Sequence, residues 1–365
     1  AKIQMQDAEY MNRKRKDQEE VEEPLYTEDD VVKTMSQFKV INYNEDFKID
    51  NQITLHLTDA GHILGSAAVH LTINEEAEET RITFSGDVGR YGDLLLKDPQ
   101  PFDQADYVII ESTYGDSLHK DLDPIEDVLL SIINNTCLEK KGKVIIPAFS
   151  VGRTQELLYA LNGLELKHRL LDVPIYVDSP LSIKATEILR NHPEVYNSEV
   201  QNVLKIDKDI FNFKGLTFIE SAEESKALNN DPRPCVIISA SGMAEGGRIR
   251  HHIKNNIGNK KNTILMVGYA EPRSLGGKLL AGKKSVRIFR EDLDVVAEVA
   301  SIKSMSAHGD YEDLLRFLAC QDPEKVKQLF LVHGEYEVQQ NFAVKLREKG
   351  FKHIEIPEYH QEFEI

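Results

Sequence analysis

The chain has 365 residues, 41% of them apolar and 29% charged, enough to bury one large core or two medium ones. No run approaches the roughly 18 to 20 consecutive apolar residues of a membrane helix, and the charged opening AKIQMQDAEYMNRKRKDQEE lacks the apolar stretch of a secretory signal, so membrane and exported classes are set aside and the cytoplasm is the expected compartment. A net charge of −17 argues against a protein that coats nucleic acid nonspecifically, because Lys and Arg contacts to phosphate supply most of that affinity.

The first 35 residues are highly charged and helical in propensity, and the chain opens on Ala1. From about residue 47 the pattern turns to period two. FKIDNQITLHLT, AAVHLTI and TRITFSGD place Ile53, Leu55 and Leu57, then Val69, Leu71 and Ile73, then Ile82 and Phe84, on one face of half-buried strands in an antiparallel or mixed sheet. DYVIIEST is continuously apolar, as expected of a strand covered on both faces. After about residue 117 strand, loop and helix alternate: KVIIPAF before RTQELLYALNGL, VPIYVDSP before LSIKATEILRNH, and PCVIISA before RIRHHIKNN. Such alternation predicts a second α/β domain of parallel strands with crossover helices. The tail again alternates helices with strands.

Charge is unevenly spread. Residues 241 to 290 hold eleven lysines and arginines against two acidic residues, Glu245 and Glu271, leaving +9 there and −26 elsewhere. A basic surface on an acidic body suits a polyanion steered to one place, and a solvated face balanced by acidic neighbours is the other reading. Cys137, Cys235 and Cys320 are far apart without C-x-x-C spacing and read as reduced core residues.

Polar residues just past apolar strands mark where active sites are built on layered sheets. Such ends occur at TDAGH (Asp59, His62), TFSGD (Asp87), VIIEST (Glu111) and LFLVHGE (His333, Glu335), and MSAHGD adds His308 and Asp310 in a small-residue turn. Imidazole and carboxylate ligands gathered this way suit zinc. His56 and His70 alternate with apolar positions and read as polar-face strand residues, while His251 and His252 lie on a basic helix and read as exposed. Ser150 lacks the G-x-S-x-G elbow and reads as a strand-to-helix turn capping RTQELL. SGMAEGG, between a strand and a helix, offers backbone N–H groups to phosphate; it matches neither G-x-G-x-x-G nor the P-loop, so no nucleotide cofactor is expected. Ser239, Ser241, Gly242 and Arg248 are the candidate contacts to a polyanion's phosphate backbone, and the scarcity of aromatics in GYAEPRSLGGKLLAGKK argues against base stacking.

Taken together, DAGHILGSA, FSGDVGR, ESTYGD, SAHGD and LVHGE resemble, in order, the motifs of metallo-β-lactamase-fold nucleases with a β-CASP insertion, the family of RNase J and of the endonuclease of messenger-RNA 3′-end formation. PAFSVGRTQELLYAL, DSPL, SASGM and GGKLLAG resemble the insertion. The resemblance implies an αββα metallo-β-lactamase-like α/β sandwich, incomplete at its N-terminus, from residues 1–116 and 301–365, with an inserted β-CASP α/β domain at 117–300. It implies two zinc ions, with His62 binding one, Asp87 bridging both and His333 binding the second, while Glu111 orients His308 near the leaving group. Two such ions activate a bridging water and hold the scissile phosphate. The implied function is hydrolysis of RNA phosphodiester bonds in processing or turnover, with no membrane partner and with a homo-oligomer or processing complex left open.

One departure qualifies this. The family's H-x-H-x-D-H loop should precede DAGHILGSA, yet none of the twelve histidines stands two positions from another. The expectation is a C-terminal portion of a longer nuclease, the remaining zinc ligands lying in a missing N-terminal segment; this chain alone should bind zinc poorly and cut RNA weakly or not at all. The alternatives are an inactive paralogue that binds RNA or scaffolds a complex, and a hydrolase of DNA or of a small molecule.

Overall fold

The structure is a computed structural model that describes residues 26–75, 78–119, 124–302 and 305–365. The described residues fall into two compact units, residues 26–42 and 43–365. In the first, the helix Glu28–Gln37 starts with a capping box, in which Thr27 accepts from the Asp30 N–H and the Asp30 carboxylate accepts from the Thr27 N–H. The helical expectation for residues 1–25 lies outside the described residues. No described helix is long and apolar enough to cross a membrane.

The second unit opens with β1 (Asp46–Lys48), β2 (Ile53–Asp59), β3 (Ala67–Glu75), β4 (Glu78–Phe84) and β5 (Tyr107–Glu111). It continues through β6 (Lys143–Pro147), β7 (Ile175–Val177), β8 (Leu216–Phe218), β9 (Cys235–Ser239) and β10 (Thr263–Val267). A hairpin of β11 (Ser285–Ile288) and β12 (Glu291–Asp294) leads to β13 (Glu298–Ile302), and β14 (Gln328–Val332) and β15 (Ile354–Glu355) close the chain.

One sheet has seven strands in the order β1-β2-β3-β4-β5-β14-β15, antiparallel from β1 to β4 and parallel from β4 onward. The other has six strands, all parallel, in the order β13-β10-β6-β9-β7-β8. The continuous apolar runs of its central strands are explained by cores on both faces. Val144, Ile146, Val236, Ile238 and Leu265 pack with Leu157, Leu158 and Leu161 of the helix Arg153–Leu166 on one side. Ile145, Ile237, Ile264 and Met266 alternate with them and pack with Ile249 and Ile253 of the helix Ile249–Asn256 on the other. A third core joins Val108 and Ile110 of β5 and Leu329 and Leu331 of β14 to Phe102, Phe317 and Phe342.

The period-two strands pair as their pattern requires, Leu55 facing Leu71 and Leu71 facing Ile82, but this apolar ladder is only half-buried. The polar ladder on the opposite face runs deeper. Thr58 and Thr83 are buried, and His70 lies between them with Nε2 on the Thr58 hydroxyl and Nδ1 on that of Thr83, both at 2.9 Å, its ring stacked on Phe102. His70 is therefore an inward-facing residue, and burial pushes its pKa down to about 4. Two further sequence expectations are corrected. Cys320 is exposed at the end of a short turn of helix, and His252 is fully buried.

The depressed His70 pKa has a defined thermodynamic sign. The unfolded chain takes up this proton below about pH 6.5 and the native chain only near 4, so stability present above 6.5 is lost as pH falls between them. Urea unfolding at pH 7 and pH 4.5 should show a steeper acid loss in wild type than in His70→Gln, by about 2–3 kcal/mol; equal losses would place the titration elsewhere.

Candidate metal centre

Three turns at the ends of the seven-stranded sheet carry the site. In the first, after β2, Gly61 adopts φ +67° and its N–H is taken by Asp59 Oδ1 at 2.8 Å, while Ser66 Oγ accepts from the N–H groups of His62 and Ile63. In the second, after β4, Gly89 donates to Ala60 O at 2.8 Å, and in the third Gly309 donates to Val88 O at 2.8 Å. The approach at Gly89 leaves no room for a side chain: a Cβ there would stand 1.9 Å from the Gly61 carbonyl oxygen. Backbone-to-backbone stitching thus fixes His62, Asp87 and His308 relative to one another.

One ligand atom from each of His62, Asp87 and His308 lies within 4.8 Å of the others. The two oxygens of Asp87 face different histidines, Oδ2 lying 3.8 Å from His62 Nε2 and Oδ1 3.4 Å from His333 Nε2. His333 follows β14 at φ +50°, its carbonyl accepting from the Ser112 N–H and the Thr113 hydroxyl, and its ring is largely open to solvent. Burial, then the nearby His308, lowers the pKa of His62, favouring the neutral imidazole a metal requires. Its Nδ1 is the one buried side-chain nitrogen or oxygen among the described residues without a hydrogen-bond partner. Two or three imidazoles around one carboxylate, partly dehydrated, are a donor set that fits zinc.

Glu111 ends β5 in full burial. Burial alone would raise its pKa, but His308 Nδ1 donates to both its oxygens at 3.0 and 3.1 Å, and the Val88 and Thr113 N–H groups donate as well, so its pKa is lowered. For His308 burial opposes the charged form and the Glu111 carboxylate outweighs it, raising the pKa. Sequence reasoning missed the neighbours of this pair. The Tyr114 ring lies 6.5 Å from that of His308, and His119 Nε2 meets the His308 carbonyl at 3.2 Å. Tyr114 follows Glu111 past the same strand end, which is the signal that could have found it.

The sequence-predicted RNA contacts lie apart from this cluster in the chain and do not present free donors together. Ser239 is 1% exposed and its hydroxyl donates to Asp178 O at 2.7 Å. Arg248 Nη1 donates to Asp178 Oδ1 at 2.6 Å and Nη2 to Glu220 O at 2.7 Å. Asp178 Oδ2 also takes Ser225 Oγ and His252 Nε2. The N–H groups of Ser241, Ala244 and Gly246 are satisfied inside their own turn, so the expected phosphate cradle is not formed by them. Ser150 caps nothing with its side chain; Gly152 occupies the N-cap and the Ser150 carbonyl accepts from Gln155. The basic window is partly balanced, Lys254 pairing with Glu291 and Arg287 approaching Asp292 at 4.0 Å. Lys260, Lys261, Lys278, Lys283 and Lys284 stay exposed without an ion pair to the described residues.

A mixed sheet whose strand ends gather histidines and acids, backed by a parallel α/β layer, defines a metallo-hydrolase. Family models agree: residues 154–279 match the Beta-Casp domain and residues 292–357 the Zn-dependent metallo-hydrolase RNA specificity domain. A ribonuclease of Thermus thermophilus is 34% identical over 319 residues, covering 87% of this chain and 70% of the relative. An RNase J-like protein of Methanocaldococcus jannaschii is 34% identical over 338 residues, covering 92% and 75%. The transcription termination factor FttA of Cenarchaeum symbiosum is 30% identical over 334 residues, covering 89% of this chain and 51% of the relative. The chain belongs to the metallo-β-lactamase-fold nuclease family with a β-CASP domain.

The stitching of the turns sets a stability test. Gly89→Ala should cost about 1–3 kcal/mol, the range for overpacking a closed contact, and shift His62 away from Asp87. A thermal midpoint equal to wild type would show that the turns adjust freely.

Proposed function

We propose that the chain hydrolyses RNA phosphodiester bonds at the cluster of His62, Asp87, His308 and His333, with residues 117–300 as the β-CASP part and 1–116 and 301–365 as the metallo-β-lactamase-like part. The observation that carries this reading is the division of labour around Asp87. One carboxylate faces His62 and His333 through different oxygens, while His308 is tied through Nδ1 to the buried Glu111. When bound, zinc supplies an activated water and neutralises phosphate charge. His62, Asp87 and His333 would hold it. Their number makes part of a two-ion set, with no H-x-H pair present to add to it.

His308 is held with its proton by Glu111, so its other nitrogen can deliver a proton to the departing sugar oxygen. Glu111 fixes the tautomer and the direction of the ring. Similarity to a ribonuclease of Thermus thermophilus and to an RNase J-like protein, with the match to the RNA specificity domain, supports RNA as the substrate.

Zinc content by elemental analysis and cleavage of end-labelled single-stranded RNA, at enzyme in excess, test the assignment. Wild type should hold fewer than two zinc per chain and cleave slowly. Asp87→Ala should lose both metal and cleavage. His308→Ala should keep the metal and lose about 10²–10⁴-fold in rate, the usual worth of a positioned acid. Cleavage that survives both substitutions belongs to a contaminant or another site, and two tightly held zinc ions would refute the partial ligand set.

A further inference from the structure

The loops that follow the parallel strands β6 and β10 meet the turns of the metal cluster, and the loop after β9 meets that of β6. At Gly152, after β6, an added Cβ would touch the Ile63 side chain at 3.4 Å, next to His62. At Gly268, after β10, it would stand 3.1 Å from the Met305 carbonyl, in the segment leading to His308. Ligands of open α/β sheets bind in the crevice beyond such carboxyl ends. Two aromatics stand exposed there, Phe149 after β6 and Tyr269 after β10, at 43% and 47%. Burial, then the nearby carboxylates of Glu335 and Glu271, raises the pKa of the Tyr269 phenol, so it keeps its proton.

Phe149 is the better defined. Its ring lies flat enough on Gly242 that a Cβ at that position would fall 2.6 Å from Cδ2, 2.8 Å from Cε2 and 3.0 Å from Cγ. Gly242 is buried beneath it. The turn that carries Gly242 is rigid. Ser241 N–H and Oγ both bond Gly246 O, Ile249 N–H bonds Ala240 O, and Gly247, at φ +78°, could not carry a Cβ without meeting Ala240 O at 2.3 Å. The following Arg248 is clamped by the buried Asp178. One side of the ring therefore rests on a fixed glycine floor while a large part of the residue stays in water.

Resting on the reading of the site as an RNA hydrolase, we infer that Phe149 is a stacking platform for one unpaired nucleobase of the substrate, beside the scissile bond. A phenyl ring offers no hydrogen bond, so the contact accepts any base; it positions the strand without reading sequence. The backbone carbonyl of Phe149 is already held by the Thr154 N–H and hydroxyl, so the ring's carrier is anchored at the start of the helix Arg153–Leu166. Pre-ordering of this kind lowers the entropy lost when a flexible strand binds.

The test uses the whole chain and 20-nucleotide single-stranded RNAs with 2-aminopurine at one position at a time, without added metal so that no cleavage intervenes. Binding should quench the fluorophore at one or two adjacent positions. Phe149→Leu, a change at a half-exposed residue, should abolish that quench and weaken binding about 10- to 100-fold, the range for one stacked base. Phe149→Trp should keep both, and Gly242→Ala, by pushing the ring off its floor, should reduce both. Wild-type affinity and quench in Phe149→Leu would overturn the platform while leaving RNA as the ligand. An RNA that does not bind the wild-type chain at all would overturn the RNA reading itself, and the platform with it.

Discussion

A carboxylate in full burial is costly unless every oxygen is matched, and Glu111 turns that cost into geometry. Its partners come from three places in the chain: the Val88 N–H beside Asp87, the Thr113 N–H beyond its own strand, and the His308 ring from a turn almost two hundred residues later. None of the three can move without leaving charge unsatisfied in the interior. The Asp87 turn, the end of β5 and the His308 turn are thereby one object, and the glycine contacts at Gly61, Gly89 and Gly309 permit the backbones to approach closely enough for it to form. The mutual placement of His62, Asp87 and His308 is a consequence of this arrangement.

A second buried carboxylate does parallel work in the other layer. Asp178, at the end of β7, binds Arg248, His252 and Ser225 and thus joins the starts of two helices to the strand ends. Here the partners are not reactive. Both charges of the pair are shielded, which removes Arg248 from the pool of phosphate ligands and gives it to the turn that supports Phe149. The same device, a strand-end acid at the meeting point of several elements, orients an imidazole in one layer and fixes a turn in the other.

Much of this was written in local pattern. Alternation named the strands of the mixed sheet, continuous apolar runs named the doubly covered strands, and the rule that chemistry sits past strand ends picked out His62, Asp87, Glu111, His308 and His333, which the fold does bring into one neighbourhood. What stayed hidden depends on direction rather than on composition. Thr58, His70 and Thr83 look like an outer polar face, yet they hydrogen-bond to one another and so tolerate the interior, where Phe102 covers them. His252 and Arg248 look like a basic helix start, but a single acid 70 residues upstream draws both inward. Cys320 sits in an apolar run that ends one residue too near the surface. Phe149, read as the last residue of an apolar strand, is the reverse: it passes beyond the sheet and is left in water.

Charge and shape act over different ranges in this molecule. The exposed lysines of residues 260–284 act across a screening length of about 8 Å at physiological salt, far enough to concentrate a polyanion against an otherwise acidic body but too diffuse to choose where a strand is cut. Choosing requires contact at the reacting bond. Rings that can make such contacts stand near the cluster: Tyr114 and His119 beside His308, and Phe149 on its glycine floor. Because Arg248 and Ser239 are bound within the fold, the layer of parallel strands offers rings where its sequence suggested cations. On the proposed reading, attraction and registration of a single strand are separate tasks of separate surfaces: salt would set how often a strand arrives, and stacking which phosphate is presented to the cluster.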